Sequence, residues 1–372
     1  MSLIKNITVV FISLIVSIKC GDLLIGALKP ESSFGIYNRG VERSINLREH
    51  NPNYQAMLTL TDSYMKNVDS LQRKQYLIKT DENGFIDTGN QTPKTNVISE
   101  KIVFLGGSTT ELLFVSEKNR WQSILERFLN KEEAGQTYKV LNGGVSGNNV
   151  MHSTLNFIAK VIPLKPDCVV LMHNVNDLAR LRQTGSYWKA SKGYSLIEVA
   201  SESNESSILF LFARKLRDLF IPNTYLLVLN LNSEGDDFTE YRDEPLFGIE
   251  VIEDQFRRAL NSFVDIAIQW NVEPILMTQF NRINIKDKLF INSFQSKNIN
   301  EFIEKYHRLN QVIREVGLSR KIDVVDLAEL VPASGDYMYD SVHLNDNGSV
   351  LVAKILTDYW STKLGLSQAR SN

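Results

Sequence analysis

Apolar positions along the chain fall into short runs that alternate with stretches of helical spacing, and this alternation sets in near residue 100. Ile102 to Leu105 is an unbroken apolar run closed by Gly106 and Gly107, which predicts a buried strand. Trp121 to Leu129 has helical spacing, Tyr138 to Leu141 is a second strand ending in Asn142-Gly-Gly, and Asn149 to Ile162 is a helix. A third strand follows over Cys168 to Met172. After a long mixed segment, about residues 181–248, the pattern resumes. It gives an amphipathic helix over Ile252 to Trp270, a strand over Pro274 to Thr278, a helix over Asn300 to Val316, a strand over Ile322 to Leu327 and a last helix over Ser349 to Trp360. The strands show no in-out alternation. Runs apolar on both sides and separated by helices predict an α/β fold, a three-layer α/β/α sandwich around a parallel sheet, over residues 100–365 with an insertion at about 181–248.

Upstream the pattern is weaker. Residues 29–99 are polar and carry Asn-Pro, Glu-Asn-Gly and Thr-Gly-Asn turn signals, so they read as a linker and an irregular extension packed on the main domain. Residues 1–28 differ again: Lys5 precedes an almost unbroken apolar run from Ile7 to Ile18, which Lys19 ends. That run has the length of a signal-peptide core. With Leu23 to Leu28 continuing the helix and Lys19 reaching to the interface, it reads first as a signal anchor, then as a cleaved signal peptide, then as a buried helix. The expected location is extracytoplasmic, membrane-anchored, or secreted if the segment is removed.

Composition narrows this picture only a little. In 372 residues, 43% apolar and 23% charged, there is ample material for a large core, and a formal net charge of -2 gives no general attraction for nucleic acid. The two cysteines, Cys20 and Cys168, are too few for a disulfide framework, and Cys168 lies in an apolar run as a buried thiol. No His/Cys cluster has metal-ligand spacing.

Ligands of such sheets bind beyond the carboxyl ends of the strands, and the loops expected there are polar. They are Gly106-Gly-Ser-Thr-Thr-Glu111, Asn142-Gly-Gly-Val-Ser-Gly-Asn148, His173-Asn-Val-Asn-Asp177 and Asp340-Ser-Val-His343. Ser108, at a strand-to-helix turn, is the candidate nucleophile, against the plain alternative of a helix-capping serine. His343 is the candidate base, three residues after Asp340, whose carboxylate would orient the imidazole. Donors for a developing oxyanion are the Ser108 and Gly147 backbone N–H groups and the Asn176 side chain. Among the remaining histidines, His50 and His307 are expected away from this rim, His152 in a structural or substrate-facing place and His173 on the pocket wall. Ser146 is a rival nucleophile. The G-x-S-x-G elbow and the phosphate-binding G-x-x-x-x-G-K-[ST] loop are both absent.

In this order the four loops resemble the signature blocks of the SGNH (GDSL-like) hydrolase superfamily. Gly106-Gly107-Ser108-Thr109 resembles its first block, Gly147 its oxyanion glycine, Asn174-Val175-Asn176-Asp177 its G-x-N-D block and Asp340-Ser341-Val342-His343 its D-x-x-H block. Gly107 stands where the family has an acidic residue, and Asn174 where it has a glycine. The resemblance covers residues 100–365. It implies a flavodoxin-like sandwich, no cofactor, and hydrolysis of an O-acetyl or other O-acyl ester through an acyl-enzyme, the substrate being a small molecule or a glycan. The layout is similar to that of membrane-tethered bacterial members. Two alternatives keep the same fold: an O-acyltransferase acting on a cell-surface glycan, and a non-catalytic glycan-binding protein. The apolar stretch from Ile208 to Leu231 reads either as a lid or membrane-contacting helix over the site or as an inserted helix and strand packed on the sandwich.

Overall fold

The computed structural model describes residues 2–28, 47–90, 100–132, 137–189, 247–283 and 299–365. Two compact units divide at residues 45 and 46. The first holds α1 (Ser2–Leu28), along which Val9, Val10, Phe11, Ile12 and Leu14 are exposed. Among the described residues no helix is long and apolar enough to cross a membrane.

The second unit opens on more regular structure than the sequence pattern predicts. β1 (Gln55–Thr59) and β2 (Gln75–Lys79) pair antiparallel, with the single turn α2 (Asp62–Met65) between them. Each strand is five residues long, and only Tyr76 and Ile78 of β2 are fully buried, so apolar runs of three residues are too brief to stand out. Past β2 the chain reaches the main sheet, where the Ile86 N–H donates to Asn142 O at 2.9 Å. This covers an edge that would otherwise present open backbone groups. Residues 47–90 therefore belong to the same compact unit as the sandwich.

The sandwich runs β3 (Glu100–Gly106), α3 (Ser108–Glu111), α4 (Trp121–Glu132), β4 (Tyr138–Gly144), α5 (Val150–Asn156), β5 (Cys168–Met172), α6 (Val175–Thr184), α7 (Ile249–Gln269), β6 (Glu273–Met277), α8 (Ile299–Arg320), β7 (Val324–Val325), α9 (Leu327–Leu330) and α10 (Asp346–Lys363). All five strands are parallel, in the order β4-β3-β5-β6-β7. Successive strand residues face opposite layers. Val103, Leu105, Val169 and Leu171 pack with Phe157, Phe256, Phe263 and Leu309 from the turn after α5, α7 and α8. Ile102, Phe104, Val170 and Met172 pack with Trp121, Leu125, Leu356 and Trp360 from α4 and α10. Each such buried side chain contributes roughly 1.5–3 kcal/mol relative to exposure, and Cys168 to Met172 are all buried because both faces are covered.

This strand order is the flavodoxin-like one, and it reverses direction beside β3. The crevice at that point opens between the loops that follow β3 and β5, the loops carrying Ser108 and Asn176.

Three element boundaries differ from expectation. The helix expected over 149–162 stops being α-helical after Asn156 and passes through a π turn (Phe157–Val161) and a 3-10 turn (Ile162–Leu164). Pro163 accounts for this, since it has no N–H to give and its ring crowds the preceding turn. The strand expected over 322–327 shrinks to two residues, because the Ile322 N–H is engaged by Gly317 O and Leu327 begins α9. Finally, α6 occupies the start of the segment read as mixed; most of that segment, including the Ile208 to Leu231 stretch, lies outside the described residues.

Candidate active site

Ser108 is the first residue of α3, two residues beyond the end of β3. The two glycines before it are sterically required. A Cβ on Gly106 would lie 2.8 Å from Met172 O, and one on Gly107 would lie 2.5 Å from Asn176 Nδ2. A side chain at Gly107 would press on the Asn176 amide.

His343 Nε2 lies 2.7 Å from Ser108 Oγ, and His343 Nδ1 lies 2.7 Å from Asp340 Oδ2. A carboxylate only accepts, so the imidazole proton sits on Nδ1 and Nε2 is left to accept from the serine hydroxyl. The three-residue spacing works because Asp340 Oδ1 also accepts the backbone N–H groups of Val342 (2.9 Å) and His343 (2.7 Å), a local turn of the Asx kind. Burial of Asp340 pushes its carboxyl pKa up, but the attraction of His343 and these hydrogen bonds outweigh it and hold the pKa below the ordinary value. The ring of Tyr339 stacks on that of His343, with centroids 5.6 Å apart and planes 8° off parallel.

The loop bearing this pair is braced from outside. Tyr339 N–H donates to His343 O, Arg282 N–H to Ser341 O and Arg282 Nη1 to Met338 O, while Arg282 Nη2 meets Asp69 Oδ2 at 2.7 Å. Ser70 Oγ donates to Met338 O. Sequence reading missed Arg282, Asp69 and Tyr339, whose partners are far apart in the chain or lie inside an unpatterned loop.

The expected oxyanion donors meet at the same rim. Asn148 N–H donates to Val145 O at 3.0 Å, closing a β-turn with Gly147 at φ +76°. Only the third residue of that turn has positive φ, which makes it type II and favours glycine there. Asn176 Nδ2 donates one hydrogen to Asn148 O at 2.8 Å and keeps a second, since an amide nitrogen carries two. The contact with Gly107 puts this amide beside the backbone that leads into Ser108. Asn176→Ala is expected to lower kcat for an ester substrate by about a hundredfold or more while the melting temperature stays close to wild type. Unchanged kcat would remove Asn176 from the hole.

The expectations for His50 and His173 are corrected, and the places of the other loop residues are narrowed. His50 is not away from the rim: its Nε2 lies 2.7 Å from Glu111 Oε1, at the end of α3. His173 does not line a pocket. It is buried, with Nε2 2.7 Å from Ser153 Oγ, and burial drives its pKa down to about 3. His152 is structural: its Nδ1 accepts the Asn149 N–H in a reciprocal cap at the start of α5, and its pKa is also pushed down to about 3, chiefly by burial. Ser146 is not activated as a nucleophile, because its hydroxyl donates to Glu111 and that carboxylate separates it from His50. Asn174 is a packing residue, donating to Tyr306 O and Asn310 Oδ1. Among the described residues no group of three or more His, Cys, Asp or Glu is placed to hold a metal ion.

No protein-family model matches the chain, and no curated protein matches it. Solved structures similar to it include an acetyl xylan esterase at 18% identity and a TM-score of 0.40, covering 70% of this chain and 98% of that one. An acetylxylan esterase from Geobacillus stearothermophilus is similar at 17% identity and 0.40, over 70% and 93%. A GDSL-like lipase from Bacteroides thetaiotaomicron is similar at 16% identity and 0.39, over 73% and 89%. At this level of similarity, what those proteins cleave is a property of theirs.

Proposed function

We propose that this chain is a serine hydrolase of the SGNH type that cleaves an O-acetyl or other O-acyl ester through an acyl-enzyme on Ser108. The observation that carries this reading is the continuous relay from Asp340 through His343 to Ser108, with both imidazole nitrogens engaged at 2.7 Å. In the first half-reaction Ser108 Oγ bonds to the ester carbonyl carbon as its proton passes to His343 Nε2. The carbonyl oxygen becomes an oxyanion, facing the N–H groups of Ser108 and Gly147 and the Asn176 amide. Collapse breaks the bond to the alcohol, which leaves with the proton held by His343. Water then repeats the sequence on the acyl-serine, releasing the acid and restoring the hydroxyl.

Hydrolysis of p-nitrophenyl acetate, butyrate and octanoate, with Ser108→Ala alongside, tests this directly. Serine-dependent release of nitrophenol is the expected result, and the chain-length preference reports the acyl group. Release equal in Ser108→Ala and wild type for all three esters would overturn the assignment. The exposed apolar side chains of α1 support a membrane-targeting role for that segment, as an anchor or a cleaved signal, and with it a substrate outside the cytoplasm.

A further inference from the structure

The turn that presents Gly147 has two accessible forms. Passing from type II to type I rotates the central peptide, here Ser146–Gly147, by about half a turn, and glycine opposes neither form. In a trans peptide the N–H points opposite to the C=O, so the direction of the Ser146 carbonyl decides where the Gly147 N–H points. That carbonyl is held: Arg48 Nη2 donates to Ser146 O at 2.9 Å, a charge-assisted bond. Arg48 is itself fixed to the same loop, since its backbone carbonyl accepts from Asn148 Nδ2 at 3.2 Å and from Asn156 Nδ2 at 2.8 Å. On the other side the Ser146 hydroxyl is tied to the buried Glu111, whose second oxygen meets His50. Two residues from the segment before β1 therefore bear on one peptide unit of the rim, one directly and one through Glu111.

We propose that Arg48 is a positioning residue that latches the Ser146–Gly147 peptide in the orientation that aims the Gly147 N–H into the oxyanion hole. The proposal rests on the hydrolase reading for its kinetic consequence, but not for its structural one. Arg48 touches no reacting atom; it acts by excluding the flipped turn.

The test uses the full chain carrying Arg48→Met, which keeps the aliphatic stem and removes the donors, and Arg48→Lys, which restores a cationic donor. With p-nitrophenyl acetate, Arg48→Met is expected to lower kcat by about tenfold to a hundredfold, somewhat less than outright loss of a donor. KM should stay within about twofold and the acid limb of the kcat/KM profile should not move, because His343 is untouched; Arg48→Lys should recover part of kcat. A crystal structure of Arg48→Met is expected to show the Ser146 carbonyl reversed. An unreversed peptide in that structure overturns the latch whatever the kinetics, as does a wild-type kcat. A kcat loss accompanied by a shifted acid limb overturns it too, since the effect would then run through His343. Absence of Ser108-dependent hydrolysis in the wild type would instead defeat the hydrolase reading, and the peptide orientation in the crystal would still decide the latch.

Discussion

Replacing His343 by alanine is expected to lower kcat/KM for p-nitrophenyl acetate by about ten-thousandfold or more, and adding Ser108→Ala to it should cost almost nothing further. The reason lies in how the pair is built. The Ser108 hydroxyl faces one nitrogen of one imidazole, so without His343 no group takes its proton and the serine is as inert as alanine. Two groups that act as one unit give losses that do not add. The acid limb of kcat/KM belongs to the same group. Asp340 is held ionised by a pKa below the ordinary carboxylate value, so the proton that stops the reaction is the one on His343 Nε2, and activity falls as pH falls. The checks are a double-mutant cycle and a pH profile of kcat/KM. Losses that multiply, or a double variant much worse than either single one, would mean that serine and histidine work separately.

Much of the site could be read in the sequence because its determinants are local. Gly106 and Gly107 before Ser108 announce a tight turn, and the Asp340-His343 spacing works through a turn closed within three residues. The strands were legible for a similar reason: Cys168 to Met172 is buried on both faces and so carries no polar interruption. What escaped is long-range. Arg48 meets a carbonyl 98 positions away, and Arg282 meets an aspartate 213 positions away, and neither charge stands out from any other arginine in a polar stretch. Glu111 was visible as the last residue of the serine loop, but its role depends on Ser146 and His50 arriving from two other segments. The short strands β1 and β2 failed for a different reason, since each is half wet and its apolar run is only three residues long.

Acid should destabilise the fold well above the usual carboxylate range, and two buried histidines set the sign. His152 and His173 both have pKa values pushed down to about 3, mainly because burial opposes the charged ring, whereas an unfolded histidine titrates near about 6.5. Between those values the unfolded chain binds a proton at each site that the folded chain refuses. Stability is therefore present above about pH 6.5 and is lost as pH falls, by about 1.4 kcal/mol per pH unit for each group. Asp177 works against them. Burial raises its carboxyl to about 7, although the Tyr187 hydroxyl and the Val150 N–H favour the charged form. Between the unfolded aspartate value near about 3.9 and about pH 7 the folded state holds a proton that the unfolded state has lost, so this contribution falls as pH rises. Two histidines against one carboxyl leave a net uptake of about one proton on unfolding between about pH 4 and 6.5, a slope of about 1.4 kcal/mol per pH unit. Asp177 Oδ2 lies 3.6 Å from His173 Nδ1; Asp177→Asn keeps an oxygen to accept from Tyr187 and Val150, removes the opposing titration and leaves the imidazole no carboxylate to pair with, and so should steepen the slope. His173→Gln should flatten it towards zero, whatever it does to stability at neutral pH. Urea midpoints measured from pH 7 to pH 4 on the three proteins decide this. A wild-type stability that is flat over the range, or an Asp177→Asn slope shallower than the wild type's, would show that these three groups are not held neutral in the fold as their surroundings imply.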